Sequence, residues 1–183
     1  MIYRLLYLFV ILVFFGSCGT TKRTVNTPQR KITVKASPVK TRPERNSKTN
    51  AIRTNNKANK IINTALKYSG VRYKYGGTTK KGMDCSGLLY VAFNEHNVSL
   101  PRVSYVMAEK GKRIRVSDVT KGDLLFFKTN KSGKRINHVG LVVAIESNTI
   151  KFVHATSSRG VIVSSLREGY WNSAFIKATR VLN

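Results

Sequence analysis

The sequence predicts an α+β domain in which N-terminal helices pack on an antiparallel β-sheet. Three observations predict it. Apolar residues recur at helical spacing over residues 58–66, and again over residues 85–96 behind an aspartate able to cap a helix. From residue 123 onward the pattern changes to short apolar runs separated by turn residues. Helices first and strands afterwards is the order of an α+β layer structure rather than of alternating βαβ units.

In chain order, Ala58, Ile61, Ile62, Ala65 and Leu66 form the apolar stripe of the first helix, and Gly70 stops it. Residues 71–77 read as an aromatic loop or short strand, and residues 78–83 as a polar loop. Asp84 is the expected N-cap of a helix over 85–96, with Leu88, Leu89, Ala92 and Phe93 on its buried face. Pro101 interrupts the chain, and Ser104 is placed to cap a short helix ending by Gly111. Strands are expected at 123–128, 138–145, 150–155, 161–163 and 175–181, with residues 146–149 as the turn between the second and third. A domain over 58–183 is long enough to bury a core without disulfides.

The chain ahead of this domain is of a different kind. Arg4 precedes an unbroken apolar run over residues 5–15, followed by Gly16, Ser17 and Cys18. A bilayer span takes about 20 apolar residues, so this run has the length of a signal-peptide core instead. Residues 19–56 are rich in Thr, Lys, Arg, Asn, Ser and Pro and hold no aromatic residue, so the expectation is a disordered tether. The sequence carries 33 Lys and Arg against 8 Asp and Glu. The excess is densest over residues 22–60, which hold twelve basic residues and one acid, Glu44. Such a balance favours anionic surfaces, whether nucleic acid, lipid headgroups or wall polymers, and says nothing about fold. The stretch Phe15-Gly16-Ser17-Cys18 resembles a bacterial lipobox, and the resemblance implies cleavage before Cys18 and lipidation of its sulfur. The expected organisation is a signal peptide at 1–17, a lipidated cysteine and basic tether at 18–57, and the domain at 58–183. The alternative is an uncleaved shallow anchor; both place the domain outside the cytoplasm, which excludes nucleic acid as its partner. Gly19 after the cysteine is similar to outer-membrane lipoproteins of some bacteria, which implies the outer membrane on its periplasmic side.

With Cys18 lipidated, Cys85 is a lone thiol in an exported domain. It stands where a helix begins, and unpaired N–H groups there favour a thiolate, so a pKa well below the ~8.5 of free cysteine is expected. The competing reading is a small buried core residue. A thiol nucleophile needs an imidazole partner, and that partner needs an orienting group. His138 opens one predicted strand and His154 lies in the next. A hairpin centred on residue 147 sets His138 opposite residue 156 and makes His154 its diagonal neighbour on the same face. A half-residue shift of that centre would separate the rings onto opposite faces. His96, about three turns from Cys85, is expected to be exposed and remote from the thiol. Zinc-like spacings of Cys and His are lacking, so no metal and no cofactor are expected.

The runs Asp84-Cys85-Ser86-Gly87-Leu88, residues 122–127 (GDLLFF), His138-Val139-Gly140 and Val153-His154-Ala155, in this order and spacing, resemble the NlpC family of papain-like cell-wall cysteine peptidases from about residue 58 to the end. The resemblance implies a papain-like fold, attack by Cys85, His138 as general base and His154 as the residue orienting it. It also implies a hydroxyl near the site from Tyr73, within Tyr73-Lys74-Tyr75-Gly76-Gly77, and oxyanion or substrate contacts from the start of the Cys85 helix, including Ser86. Residues 100–104 match as well, and Arg102 is a candidate partner for substrate carboxylates; the match departs at Met107, where similar proteins carry Gln. The implied reaction is hydrolysis of an amide in the peptide stem or crosslink of peptidoglycan by a monomer held to the membrane by lipid. A papain-like amidase or acyltransferase, or a non-catalytic wall-binding lipoprotein, remain as alternatives.

Overall fold

The structure is a computed structural model and describes residues 45–130 and 132–182. The apolar run at 5–15, Cys18 and the basic stretch up to residue 44 lie outside the described residues.

Helix α1 spans Arg45–Leu66. Its second half carries the expected apolar stripe, with Ala58, Ile61, Ile62 and Ala65 buried. It begins 13 residues ahead of the predicted start, inside the stretch expected to be a disordered tether. That part has no apolar periodicity to detect: from Ala51 to Lys57 the side chains are exposed apart from half-buried Thr54. Once the packed turns are formed, adding a residue costs one residue's entropy for one hydrogen bond, so the helix propagates outward. Gly70, at φ 81°, turns the chain away after α1.

The polar loop expected at 78–83 is a small antiparallel hairpin, β1 (Thr78–Thr79) with β2 (Gly82–Met83). Tyr73 forms an isolated bridge to Met83, which sets the aromatic stretch beside the residue pair that leads into the next helix. Helix α2 spans Cys85–Asn94 and buries Leu88, Leu89, Ala92 and Phe93 as predicted. Asp84 caps it, its side chain accepting from the Gly87 N–H at 2.7 Å. Helix α3 spans only Ser104–Met107, and Val103 rather than Ser104 is its N-cap, with no side-chain cap bond.

Among the described residues, six strands form one antiparallel sheet in the order β3-β8-β4-β5-β6-β7. They are β3 (Lys112–Ile114), β4 (Leu124–Phe127), β5 (His138–Glu146), β6 (Thr149–Thr156), β7 (Gly160–Ser165) and β8 (Phe175–Arg180). Five of the six stand where the sequence puts them. The short exposed β3, paired to β8, and helix α4 (Gly169–Ala174) were not predicted; each is too short to show a period. Between β5 and β6 the turn residues Ser147 and Asn148 have φ 43° and 66°, the conformation of a two-residue hairpin turn. One face of the sheet packs on α1 and α2 through Leu124, Phe126, Val139, Leu141 and Val153, and the other holds a second cluster around Phe127, Phe152 and Trp171. The N-terminus of α2 is thereby pressed against the mouth of β5 and β6.

Candidate active site

Cys85 is a free thiol and the first residue of α2. The turn ahead of it is held by a network on Asp84. Its Oδ2 accepts from the Gly76 N–H at 2.7 Å, and Arg102 grips the carboxylate with two bonds, 2.8 Å to Oδ1 and 2.7 Å to Oδ2. Arg102 also donates to the Ser86 hydroxyl at 2.8 Å and to the Gly77 carbonyl at 3.3 Å, while Ser86 donates to Asp84. Burial by itself would raise the Asp84 carboxyl, but the Arg102 bonds and the Gly87 and Gly76 amides outweigh it and hold it below the ordinary value. Gly87 completes the fit, because a Cβ there would collide with the Gly77 carbonyl and crowd the Arg102 guanidinium and the Asp84 carboxylate. Arg102 and Ser86, expected as substrate contacts, line the cavity beside Cys85 and also brace the start of the nucleophile's helix. Met107, where the family pattern departs, is fully buried in the core and does not line the cleft.

The two strand histidines meet. His138 Nε2 lies 2.9 Å from His154 Nδ1. A β-bulge makes this possible. Near the turn the pairs are Glu146↔Thr149 and Ala144↔Lys151; past an extra residue, Val143, they are Val142↔Phe152 and Leu141↔Val153. Regular pairing from the turn would have put the rings on opposite faces; the bulge shifts the register by one and returns them to the same face. His154 is fully buried, and among the described residues its Nε2 finds no partner. With Nε2 of His138 used by His154, Nδ1 is the nitrogen left to face the cleft, and His138 and Cys85 line one cavity.

Trp171 is the residue sequence reasoning missed. From α4 it stacks on His138, with centroids 5.2 Å apart at 24°, and meets His154 edge-on at 4.5 Å. Phe127 and Phe152 close the remaining sides of this aromatic box. It is the only tryptophan in the sequence, and that was the one available signal. His96 lies remote from this cluster, as expected, but it is half-buried rather than exposed: its Nε2 is 2.9 Å from the Thr64 hydroxyl on α1.

Burial governs the charges. It pushes the Cys85 thiol up to about 11, against the pull of backbone groups of Val139, Ser86 and Cys85 itself. It pushes His138 down to about 4, and it pushes His154 down to about 3 with added repulsion from His138 and Arg159. The expected depression of the thiol at a helix start is therefore reversed: desolvation at Cys85, a residue only 7% exposed, exceeds what the helix terminus supplies. The resting site holds a neutral thiol beside a neutral imidazole. Two cavities meet there, sharing Tyr73, Cys85 and Asn137. One, about 470 Å³, runs past Tyr75, Arg102 and Tyr105; the other, about 390 Å³, runs past His138, Arg159 and Trp171. Tyr73 is half-buried, and its hydroxyl is raised first by burial and further by the Asp84 charge and by any charge that forms on Cys85, so it remains a proton-bearing donor at the cleft.

The model of the NlpC/P60 family matches residues 70–180, a span that runs from the turn after α1 to the end of β8 and contains every residue of this cleft. The chain belongs to the NlpC/P60 family. It is 38% identical over 135 residues to the murein DD-endopeptidase MepS/murein LD-carboxypeptidase of Escherichia coli K12, covering 73% of this chain and 68% of that protein. It is 34% identical over 122 residues to the bifunctional muramidase/DL-endopeptidase CwlT of Bacillus subtilis, covering 66% of this chain and 36% of that protein. A crystal structure of an NlpC/P60 family protein from Bacillus cereus superposes with a TM-score of 0.63 at 26% identity, over 69% of this chain and 40% of the other. The peptidoglycan hydrolase RipB of Mycobacterium tuberculosis superposes with a TM-score of 0.59 at 25% identity, over 77% and 72%. The chain spans about two thirds of the length of the Escherichia coli relative and well under half of the Bacillus proteins.

Proposed function

We propose that this protein is a peptidoglycan endopeptidase that hydrolyses an amide in the wall peptide stem or crosslink by a Cys-His-His mechanism. The observation that carries it is a free cysteine heading α2 in the same cavity as His138, itself hydrogen-bonded to a buried His154. Membership of the NlpC/P60 family, and relatives named as murein and DL-endopeptidases, support the substrate class.

Because thiol and imidazole both rest neutral, His138 acts as a general base rather than as half of a standing ion pair. To accept at Nδ1 it carries its own proton on Nε2 and donates it to His154 Nδ1, which fixes the ring. Cys85 Sγ attacks the scissile carbonyl carbon as its proton passes to His138 Nδ1. Backbone N–H groups at the start of α2 face the developing oxyanion. The C–N bond breaks as His138 protonates the leaving amine, and a thioester remains on Cys85. Water then gives a proton to His138 and its oxygen to the carbonyl. The C–S bond breaks, the proton returns to sulfur and the acid leaves. Trp171, stacked on His138, holds the ring in plane and lies against the charge it gains.

In the proposed setting residues 1–17 export the chain, lipid on Cys18 anchors it to the periplasmic side of the outer membrane, and the basic segment after it spaces a monomeric domain toward the wall. The test is incubation with purified peptidoglycan, following release of new amino groups and identifying products by mass spectrometry. Amine release by the native chain and none by Cys85→Ala is the expected result. Products lacking a newly exposed peptide amine would sink the endopeptidase reading. Cys18→Ser is expected to abolish incorporation of labelled fatty acid, and retained label would remove the anchor.

A further inference from the structure

The two cavities meeting at Cys85 are not equivalent. His138 lines the one with Trp171 and Arg159, and does not line the one with Arg102. The imidazole that removes the thiol proton must deliver it to the leaving nitrogen, so the amine side of the scissile bond lies in His138's cavity. On that side Arg159 is the single cation lining the cavity among the described residues.

The two cleft arginines are in opposite states. Arg102 has both Nη groups engaged, on Asp84, Ser86 and the Gly77 carbonyl. The exposed Arg159 guanidinium makes no hydrogen bond or ion pair with any described residue; only its backbone N–H is used, donating to Thr156 Oγ1 at 3.1 Å. The turn that presents it is braced. Gly160, at φ 67°, lets the backbone pass so close to Val71 that a Cβ would collide with the Val71 carbonyl, and the Val161 N–H donates to that carbonyl at 2.9 Å. Arg159 is also near enough to push against a charge on His154. Glu168 lines the same cavity but forms no ion pair with Arg159; one of its oxygens accepts from the Ser165 N–H at 2.8 Å.

We propose that Arg159 binds a carboxylate borne by the residue on the amine side of the scissile bond, and thereby selects which amide is cut. This rests on the reading that Cys85 and His138 hydrolyse an amide. A free guanidinium carried by a braced turn at the edge of a catalytic cleft is a fork for a planar anion. With the carboxylate held there and the carbonyl at the α2 N-terminus, the leaving nitrogen is constrained at two points to lie between Sγ and His138. The preferred substrate is then a peptide whose leaving residue has an ionised carboxylate close to the cleaved nitrogen, and amidation of that carboxylate protects the bond.

The test uses the full chain and a pair of synthetic muropeptides that differ only in whether the leaving residue carries a free carboxylate or a carboxamide. The native chain is expected to favour the acid by about tenfold in kcat/KM. Arg159→Gln should lose that advantage through KM, and Arg159→Lys should keep part of it. Equal treatment of the pair by the native chain, or an undiminished preference in Arg159→Gln, overturns the proposal while leaving the hydrolase reading intact. A second measurement does not depend on turnover. The released amine product should bind Cys85→Ala in calorimetry and lose about tenfold in affinity in Cys85→Ala/Arg159→Gln. Equal affinity for the two variants also overturns it. Failure of the native chain to cut either peptide or intact peptidoglycan counts against the hydrolase reading instead.

Discussion

At the scale of single residues, the site divides into groups that react and groups that aim them. Cys85→Ala is expected to abolish turnover on purified peptidoglycan, and His138→Ala to lose about 10²–10⁴ in rate, the usual cost of a missing general base. His154 acts only through its 2.9 Å bond to His138, so the substitute matters. His154→Ala should be severe, whereas His154→Gln or Asn should retain measurable rate because an amide oxygen can accept the His138 N–H. Full activity in His138→Gln beside a dead His154→Gln would reverse the two roles. Trp171 belongs with the aiming groups, and Trp171→Leu should lower kcat roughly tenfold with less change in KM, Trp171→Phe less so. An unchanged kcat in a folded Trp171→Leu variant would show that the stack is packing alone. Much of this cluster was legible in the chain. A cysteine behind a capping aspartate and histidines at a strand mouth are chemical signals carried by residue type and local position. Trp171 was not, because α4 is six residues long and nothing local ties it to strands 17 and 33 residues earlier. Arg102 was half legible for a related reason: a sequence displays a charge but not its partner, here Asp84.

At the scale of elements, the hairpin of β5 and β6 shows where pattern reading stops. The two-residue turn at Ser147 and Asn148 alone would specify a register that parts the histidines. The bulge at Val143 decides the matter, and the apolar run of residues 141–145 gives no hint of which residue is extra. Helix α1 shows the opposite limit. Its packed half was readable from apolar spacing, while its polar half from Arg45 was not, because a polar helix and a polar coil share a composition. The first buried side chain among the described residues is Ala58. Deleting residues 22–56 should therefore shift the thermal midpoint by only about 2 °C or less, since surface changes cost within about 0.5 kcal/mol. Deleting residues 22–65 also removes Ile61 and Ile62 from the core against α2, and should lower the midpoint by more than about 10 °C or prevent folding. Equal midpoints for the two deletions would mean that α1 is not part of the domain's core.

At the scale of the whole molecule, burying a reactive cluster couples activity to stability through pH. His138 and His154 sit at about 4 and about 3 in the folded protein, against an ordinary 6.5. Between those values the unfolded chain binds protons that the native state refuses. The stability from keeping the rings neutral is present above pH 6.5 and is lost as pH falls through about 4 and then 3. Asp84, held below its ordinary value, adds a loss of the same sign at lower pH. Cys85 works in the other direction. Its folded value of about 11 lies above the ordinary 9.0, so its contribution is complete below pH 9 and is lost as pH rises through 11. The net charge of +25 supplies a background self-repulsion that grows as carboxylates protonate. The expected curve of thermal midpoint against pH is thus a plateau between about 6.5 and 9 with a falling limb on each side. The limbs are separable by substitution, whatever offset each variant adds. His154→Gln should flatten the acid limb between pH 6.5 and 4 and leave the alkaline one, and Cys85→Ala should do the reverse. The rate profile follows the same groups, with kcat/KM falling below about pH 4 as His138 takes up its proton before the thiol can give one. A midpoint that rises as pH drops from 6.5 to 4, or iodoacetamide labelling of Cys85 with an inflection below 8 in the folded domain, would mean that a thiolate–imidazolium pair stands in the resting cleft and that the sulfur attacks without waiting for a base.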